Sequence, residues 1–288
     1  MHRLIRGIVV FIALGGAVYV TAQTAGQAAP AAQTSTEAPA QASAPAAAAA
    51  LTADEVVAKY FDAIGGKDAI GQVKSLSMEN SIEVMGNEAP GTTVILDGVG
   101  YRNETEINDS KIIQVYTAKG GWQVNPMAGM NDPTPLPQDQ YEAGKDQIYI
   151  GGQLYNYAAK GNKIELTGSD KDTYTVKLTT PENQETTYVF DAATHLVRST
   201  VRKGKMQDQD VDITSNYSDY RKTDAGYMVP YTIGVDFGGQ FQITIDVKKV
   251  EVNKTIDPAI FDMPAAAPAT PAAAPAAAPA AAPATPQS

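Results

Sequence analysis

Residues 227–252 read YMVPYTIGVDFGGQFQITIDVKKVEV. Apolar side chains fall on alternate positions: Tyr227, Val229, Tyr231, Ile233, Val235 and Phe237. Beyond Gly238-Gly239 they resume as Phe241, Ile243, Ile245 and Val247. Polar residues such as Thr232, Asp236, Gln242, Thr244 and Asp246 stand between them. A period of two on both sides of a Gly-Gly pair predicts a long antiparallel hairpin with one apolar face and one wet face. A lone hairpin cannot bury such a face. The rest of the chain must supply more strands, or something to cover them.

Working outward, the same alternation recurs. Upstream lie Val211, Ile213, Ser215 and Tyr217, and before them Val197 and Val201 alternating with Arg198, Thr200 and Arg202. Tyr188 with Phe190, Tyr174 to Leu178, and Ile164 with Leu166 mark three more strands. Nearer the N-terminus a meander reads as Leu76 to Val84, Thr92 to Asp97, Tyr101 to Ile107, Ile113 with Val115, and Trp122 to Val124. Helical signals are fewer. Thr52-Ala53-Asp54-Glu55 is a capping box. Val56, Val57, Tyr60, Phe61 and Ile64 follow at helical spacing, and Gly65-Gly66 ends the run. Short helical segments are predicted at Lys67–Val73 and from Gln138 to about Gln147. The fold class is α+β, mainly β, with about eleven strands and two or three helices. The strands are interrupted from Asn125 to Tyr157, first by a loop bearing Pro126, Met127, Met130, Pro133 and Pro135. A long interruption between two halves of a sheet is commonly functional.

The folded part is expected to run from Leu51 to Pro264 as one domain. Residues 1–22 read as a signal peptide: Arg3 and Arg6, an apolar run from Gly7 to Val20, and small residues up to a cut after Ala22. A retained anchor helix would want ~20 apolar residues. Residues 23–50 are an Ala/Pro/Gln linker without apolar period. Residues 265–288 form a Pro-Ala tail in which Pro271, Pro275, Pro279 and Pro283 recur at a fixed interval.

Composition excludes several chemistries. With Cys 0 there is no thiolate nucleophile, no thiolate metal site and no lipid-bearing cysteine at the cut. Two of the 22 Lys and Arg lie in the leader, leaving 20 against 32 Asp and Glu. That balance disfavours nucleic acid and anionic membrane surfaces. His195, the only histidine after the leader, sits in Asp191-Ala192-Ala193-Thr194, which is turn composition. Ser169-Asp170-Lys171-Asp172 is too short and too basic for a calcium loop. No phosphate loop, metal set or catalytic set is found, so neither an enzyme nor a cofactor is expected.

Several pieces in order resemble the LolA/LolB-like outer-membrane lipoprotein carriers. They are Ala53-Asp54-Glu55 with Tyr60 and Ile64-Gly65-Gly66, then Gly120-Gly121-Trp122 with Asn125-Pro126. Phe190-Asp191 with Thr194-His195-Leu196 follows, then Ser218-Asp219-Tyr220 with Gly226-Tyr227-Met228-Val229-Pro230. Ile260-Phe261-Asp262-Met263-Pro264 closes the set. The resemblance implies an incomplete antiparallel β-barrel with helices over its concave side, and a periplasmic protein that shields the acyl chains of a lipid or lipoprotein. Many relatives carry an Arg-Pro pair entering the third strand, whose Arg latches the lid. Here Asp97-Gly98 stands in that region, with Arg102 further along.

On this reading the strand-face residues Met78, Ile82, Tyr101, Ile113, Val115 and Trp122 bind the ligand. Met127, Met130, Tyr149 and Leu154 form an adjustable lid. The protein is expected to act as a monomer. The alternative is an envelope sensor or scaffold of the same fold that binds a protein partner without catalysis.

Overall fold

The computed structural model describes residues 51–264, apart from residue 85 and residues 207–208. The leader (1–22), the linker (23–50) and the tail (265–288) expected above lie outside the described residues. The hairpin forms as predicted. Strand β12 (Met228–Phe237) pairs antiparallel with β13 (Gln242–Val252), Ile233 facing Ile245 and Val235 facing Ile243. Gly238 and Gly239 take φ of +61° and +71°, which only glycine adopts without strain. The Gly239 N–H donates to Asp236 Oδ1 at 2.8 Å.

β13 is the middle strand of a thirteen-stranded sheet among the described residues. On its free side it takes β1 (Ser75–Val84), with one irregularity: Glu79 faces Lys249 but Asn80 faces Val247. Lys248 is therefore an extra residue, a β-bulge. Ahead of it the odd positions Ile243, Ile245 and Val247 point inward. After it the even positions Val250 and Val252 do, opposite Met78 and Leu76.

From β1 a meander runs out to one edge through β2 (Asn87–Leu96), β3 (Gly100–Ile107), β4 (Ser110–Thr117), β5 (Gly120–Asn125) and β6 (Met130–Pro135). The chain then crosses to the opposite edge, β7 (Lys163–Ser169). It returns to the centre through β8 (Thr173–Thr179), β9 (Glu185–Asp191), β10 (Val197–Met206) and β11 (Gln209–Lys222). The sheet does not close, so the fold is an incomplete barrel, as the resemblance implied. Instead of about eleven strands there are thirteen. The twelve stretches picked out above all form strands, and the thirteenth, β6, was read as loop because of Pro133 and Pro135. At a sheet edge a missing N–H costs no ladder bond.

The inner face carries the helices. α1 (Ala53–Ala63) begins with the predicted capping box, Glu55 N–H donating to Thr52 Oγ1 at 3.2 Å and Thr52 N–H to Glu55 Oε2 at 2.7 Å. Val56, Val57 and Phe61 on its apolar stripe pack on Val176, Leu178, Phe190 and Val197 of β8–β10. Burial of each such side chain contributes roughly 1.5–3 kcal/mol. α2 (Lys67–Gln72) leads into β1, and α3 (Gln138–Gly144) lies in the crossing segment.

The outer face is covered too, by the C-terminal stretch. Ile256, Ile260 and Phe261 pack on Val94, Leu96, Ile113, Val115 and Trp122. The Trp122 indole N–H donates to the Phe261 carbonyl at 2.9 Å. Arg102 stacks on the Trp122 ring at 5.4 Å and its Nη1 donates to the Ile260 carbonyl at 2.8 Å. Phe261 lies flat against Gly100, where a Cβ would collide with its ring. In β2–β5 the inner positions beside these apolar residues are polar: Thr93, Asn103, Gln114 and Gln123 stand directly opposite one another, all buried.

Candidate functional site

The crossing segment, residues 136–162, has to span the sheet from edge to edge, which accounts for its length. It is held by buried apolar side chains, Leu136, Ile148 and Ile150 in one cluster with Leu76, Met78 and Ile95 and Leu154 in another with Val176 and Leu178, and by polar pins. Next to the β2–β3 turn, the Ile150 N–H donates to Asp97 Oδ1 at 2.9 Å, and Gly98 N–H donates to the Ile148 carbonyl at 2.8 Å. On β4, the Thr117 carbonyl accepts from Tyr141 Oη at 3.0 Å. Across the sheet, Lys145 Nζ reaches Glu182 at 2.8 Å, and Thr186 Oγ1 donates to Gln153 Oε1 at 3.3 Å. Against α1, the Tyr155 ring meets Phe61 edge-on at 5.7 Å and Tyr157 Oη donates to Asp54. The segment turns downward at Gly151 and Gly152, with φ of +99° and +62°.

Beneath it lies a cavity of about 230 Å³. One wall is apolar: Leu76 and Met78 of β1, Ile95 of β2, Val229 and Ile233 of β12. Tyr149, Ile150 and Leu154 form the roof. The facing wall is polar, with Thr186 and Tyr188 from β9, Thr200 and Arg202 from β10, and Asp146, Gln147 and Gln153 from the segment. Tyr60, Tyr217, Tyr220 and Tyr227 complete the lining.

Tyr60, Tyr188, Tyr220 and Tyr227 stay neutral at ordinary pH. Burial, then the neighbouring phenols of Tyr227, Tyr220, Tyr188 and Tyr217, hold the Tyr60 pKa well above its usual value. Burial raises Tyr188 and Tyr220 and pushes Tyr227 up to about 12. Tyr220 Oη donates to the Val197 carbonyl at 2.9 Å, and Tyr217 Oη shares a bond with Thr200 Oγ1 at 3.2 Å. At the segment's far end Lys160 Nζ sits 4.4 Å from the centre of the Tyr149 ring and donates to the Gly152 carbonyl at 2.7 Å. Burial lowers its pKa.

The inward aim of Arg202 has a local cause. β9 and β10 pair with Val197 opposite Phe190, but Ser199 is opposite Val189, so Arg198 is a bulge. Ahead of it Val197 points inward; after it Thr200 and Arg202 do, opposite Tyr188 and Thr186. Without the bulge Val201 would face the cavity and Arg202 the solvent.

Of the residues expected to meet a ligand, Met78, Tyr149 and Leu154 line this cavity. Ile82 and Met130 lie further along the inner face in a cluster with Ile213, Ile233 and Ile245. Tyr101 is fully buried beside Tyr116, its ring centroid 6.1 Å away. Met127 is 37 % exposed on the turn Pro126–Ala128. Ile113, Val115 and Trp122 are on the opposite face, under the C-terminal stretch, because the apolar side of β4 and β5 is the outer one. Arg102 is there as well, while Asp97 is on the cavity side of the β2–β3 turn, accepting from the Ile150 N–H. The sequence reading treated most tyrosines as core and missed Tyr60, Tyr188, Tyr217, Tyr220 and Tyr227 as a group. Their number, 14 in the chain, was the available signal. His195 occupies the turn expected for it, with φ of +60°. Among the described residues, no group of three or more His, Asp or Glu could hold a metal ion, and no helix is long and apolar enough to cross a membrane.

No family model and no curated protein matches the sequence. The fold is similar to that of a LolA superfamily protein from Nitrosomonas europaea, with TM-score 0.51 and 12% identity over 74% of this chain and 98% of that one. A putative outer membrane lipoprotein-sorting protein domain from Vibrio parahaemolyticus gives TM-score 0.50 and 9% identity over 72% of this chain and 97% of that one. A DUF1329 family protein from Desulfovibrio piger overlaps less well, with TM-score 0.42 and 13% identity over 72% and 97% of the two chains. At these identities the likeness is one of fold.

Proposed function

We propose that this protein is an exported, non-catalytic binding protein of the cell envelope that holds an acyl chain of a lipid or lipoprotein beneath residues 136–162. The observation that carries the reading is the cavity: an apolar wall of strand residues under a segment that is fixed by polar bonds and by buried Ile148, Ile150 and Leu154 yet leaves space beneath it. Each methylene buried there gains ~0.8 kcal/mol. At about 230 Å³ the cavity is smaller than the ~300–1,000 Å³ common for drug-sized ligands. It suits part of one chain, and a bulkier cargo requires the segment to rise from its pins. The neutral phenols of Tyr60, Tyr188, Tyr220 and Tyr227 in the lining suit an amphipathic guest, since each offers an aromatic face and a hydroxyl.

The test is to purify the exported chain without detergent and analyse organic extracts by mass spectrometry. Titration with a fluorescent fatty acid follows, with Met78→Asp as the comparison. A co-purifying lipid near one-to-one, or saturable probe binding lost in Met78→Asp, is expected. A folded, lipid-free protein that ignores the probe but retains a stoichiometric protein partner overturns this reading in favour of a sensor or scaffold.

A further inference from the structure

Besides Tyr149 in the roof, five tyrosines line the cavity: Tyr60 from α1, Tyr188 from β9, Tyr217 and Tyr220 from β11, and Tyr227 from the residue before β12. They converge. The Tyr60 ring meets Phe190 edge-on at 5.5 Å, and the Tyr188 ring stacks on Phe190 at 6.2 Å. Tyr227 packs against the cluster that holds Phe190 and also against the one that holds Leu76, Met78 and Ile95, so the phenols adjoin the apolar wall. Two of the five hydroxyls are used by the fold, Tyr217 with Thr200 and Tyr220 on the Val197 carbonyl. Among the described residues, the hydroxyls of Tyr60, Tyr188 and Tyr227 make no hydrogen bond, yet they open on the cavity rather than being sealed in packed core. Each neutral phenol has one O–H to donate, and leaving it unmatched beneath a roof costs free energy. The charged residues of the lining are already engaged: the Asp146 carboxylate accepts from Gln153 Nε2 at 3.0 Å, and Arg202 has a partner of its own. Neutral donors side by side suit an uncharged group rich in acceptors, because burying a net charge among them costs far more than burying a carbonyl.

We infer that the preferred ligand is an acyl ester, of the glyceride class, whose ester group accepts hydrogen bonds from the Tyr60, Tyr188 and Tyr227 hydroxyls while its chain lies along Leu76, Met78 and Ile95. A carbonyl oxygen offers two lone pairs and the ester oxygen a weaker acceptor, so one ester can occupy the three donors. This rests on the acyl-binding reading above and adds its head-group chemistry. A free carboxylate brings a charge to a site built of neutral donors, and a bare hydrocarbon leaves all three unmatched.

The test uses the full exported chain with laurate and with methyl laurate labelled at its carbonyl carbon. Affinity is read by displacement of a fluorescent acyl probe, and the environment of the bound ester by the infrared band of its carbonyl. In the parent protein that band should lie below its position in hexane, the mark of an accepted hydrogen bond. Combining Tyr60→Phe, Tyr188→Phe and Tyr227→Phe removes the hydroxyls and keeps the rings. It should return the band to the hexane position and weaken methyl laurate about tenfold or more, the scale of two or more neutral hydrogen bonds. Laurate at neutral pH should bind the parent severalfold more weakly than its ester. An ester band at the hexane position in the parent, a band unmoved by the triple replacement, or tighter binding of laurate than of its ester makes the head-group assignment wrong while the acyl-binding reading stands. If neither ester nor acid binds the folded parent, both fall. The band and the ester-to-acid ratio in the parent need no variant, so poor folding of the triple replacement leaves the test intact.

Discussion

Two irregular segments cover the two faces of one sheet. On the outer face, residues 256–262 press apolar side chains onto a strand surface that is itself apolar. Phe261 fills the space over Gly100, Trp122 and Arg102 bond the backbone above them, and Phe261 is 2% exposed. On the inner face, residues 136–162 meet the sheet through buried Leu136, Ile148, Ile150 and Leu154 as well as through polar pins and aromatic edges, and about 230 Å³ still stays open beneath them. The difference lies in what each segment offers the sheet. A cover that contributes large apolar side chains to an apolar surface becomes core. A cover whose few apolar anchors, Leu136, Ile148, Ile150 and Leu154, are spaced out among polar ties over a ring of tyrosines becomes a roof.

The comparison can be broken from either side, and the outer one should break hardest. Phe261→Ala removes the side chain at the centre of the outer cover and should cost about 3–5 kcal/mol, read as a lower denaturant midpoint. Because the cavity is on the other face, acyl-probe affinity of the folded protein should hold; a large loss of affinity would show that the two covers are coupled. Leu154→Ala, in the roof, should cost less, about 2–3 kcal/mol, since it borders space that is already open. It should also admit a bulkier probe.

Asp97→Ala takes away the acceptor of the Ile150 N–H and should cost roughly 1–2 kcal/mol. Its sharper signature is local: hydrogen exchange across 145–161 should quicken while the outer cover is unchanged. The smallest effect comes from pH. Burial raises Tyr227 from the ordinary phenol value to about 12, with Tyr60, Tyr188 and Tyr220 raised in the same direction. The unfolded chain therefore gives up these protons first. Their contribution to stability is intact below pH ~10 and is lost progressively as pH climbs from there through the folded values. At pH ~11, one unit above the free phenol value, the loss from Tyr227 alone should be roughly 1 kcal/mol. Phenolate absorbance followed alongside a melt checks this: titration of the inner tyrosines at pH ~10 without unfolding would mean that the roof leaves them wet.

Much of the fold was legible because alternation is local. The hairpin at residues 227–252, the capping box at Thr52–Glu55 and the turn at His195 each depend on neighbours in sequence. What misled the reading was the assumption that a strand's apolar side faces the ligand. Ile113, Val115 and Trp122 have the pattern of cavity residues but bury against Phe261, which follows Trp122 by 139 residues. The polar side, Asn103, Gln114 and Gln123, is the one facing in. The two bulges were equally hidden. Whether Arg198 or Lys248 is the unpaired residue is decided by the partner strand, and each shifts which parity points inward. Arg202 therefore reads as solvent-facing in the sequence and as cavity-lining in the fold. Asp97 was noticed only as a departure from an Arg-Pro pattern, whereas its carboxylate holds the roof.

The covers also fix where the chain enters and leaves. Leu51 and α1 begin on the side of the cavity, packed into the same cluster as Leu154. Pro264, the last described residue, follows Phe261 on the far side of the sheet. The described domain therefore has a front and a back, with Leu51 on one and Pro264 on the other. Held at Pro264, the domain stands with its cavity turned outward. Held at Leu51, it has its cavity on the side nearest the support.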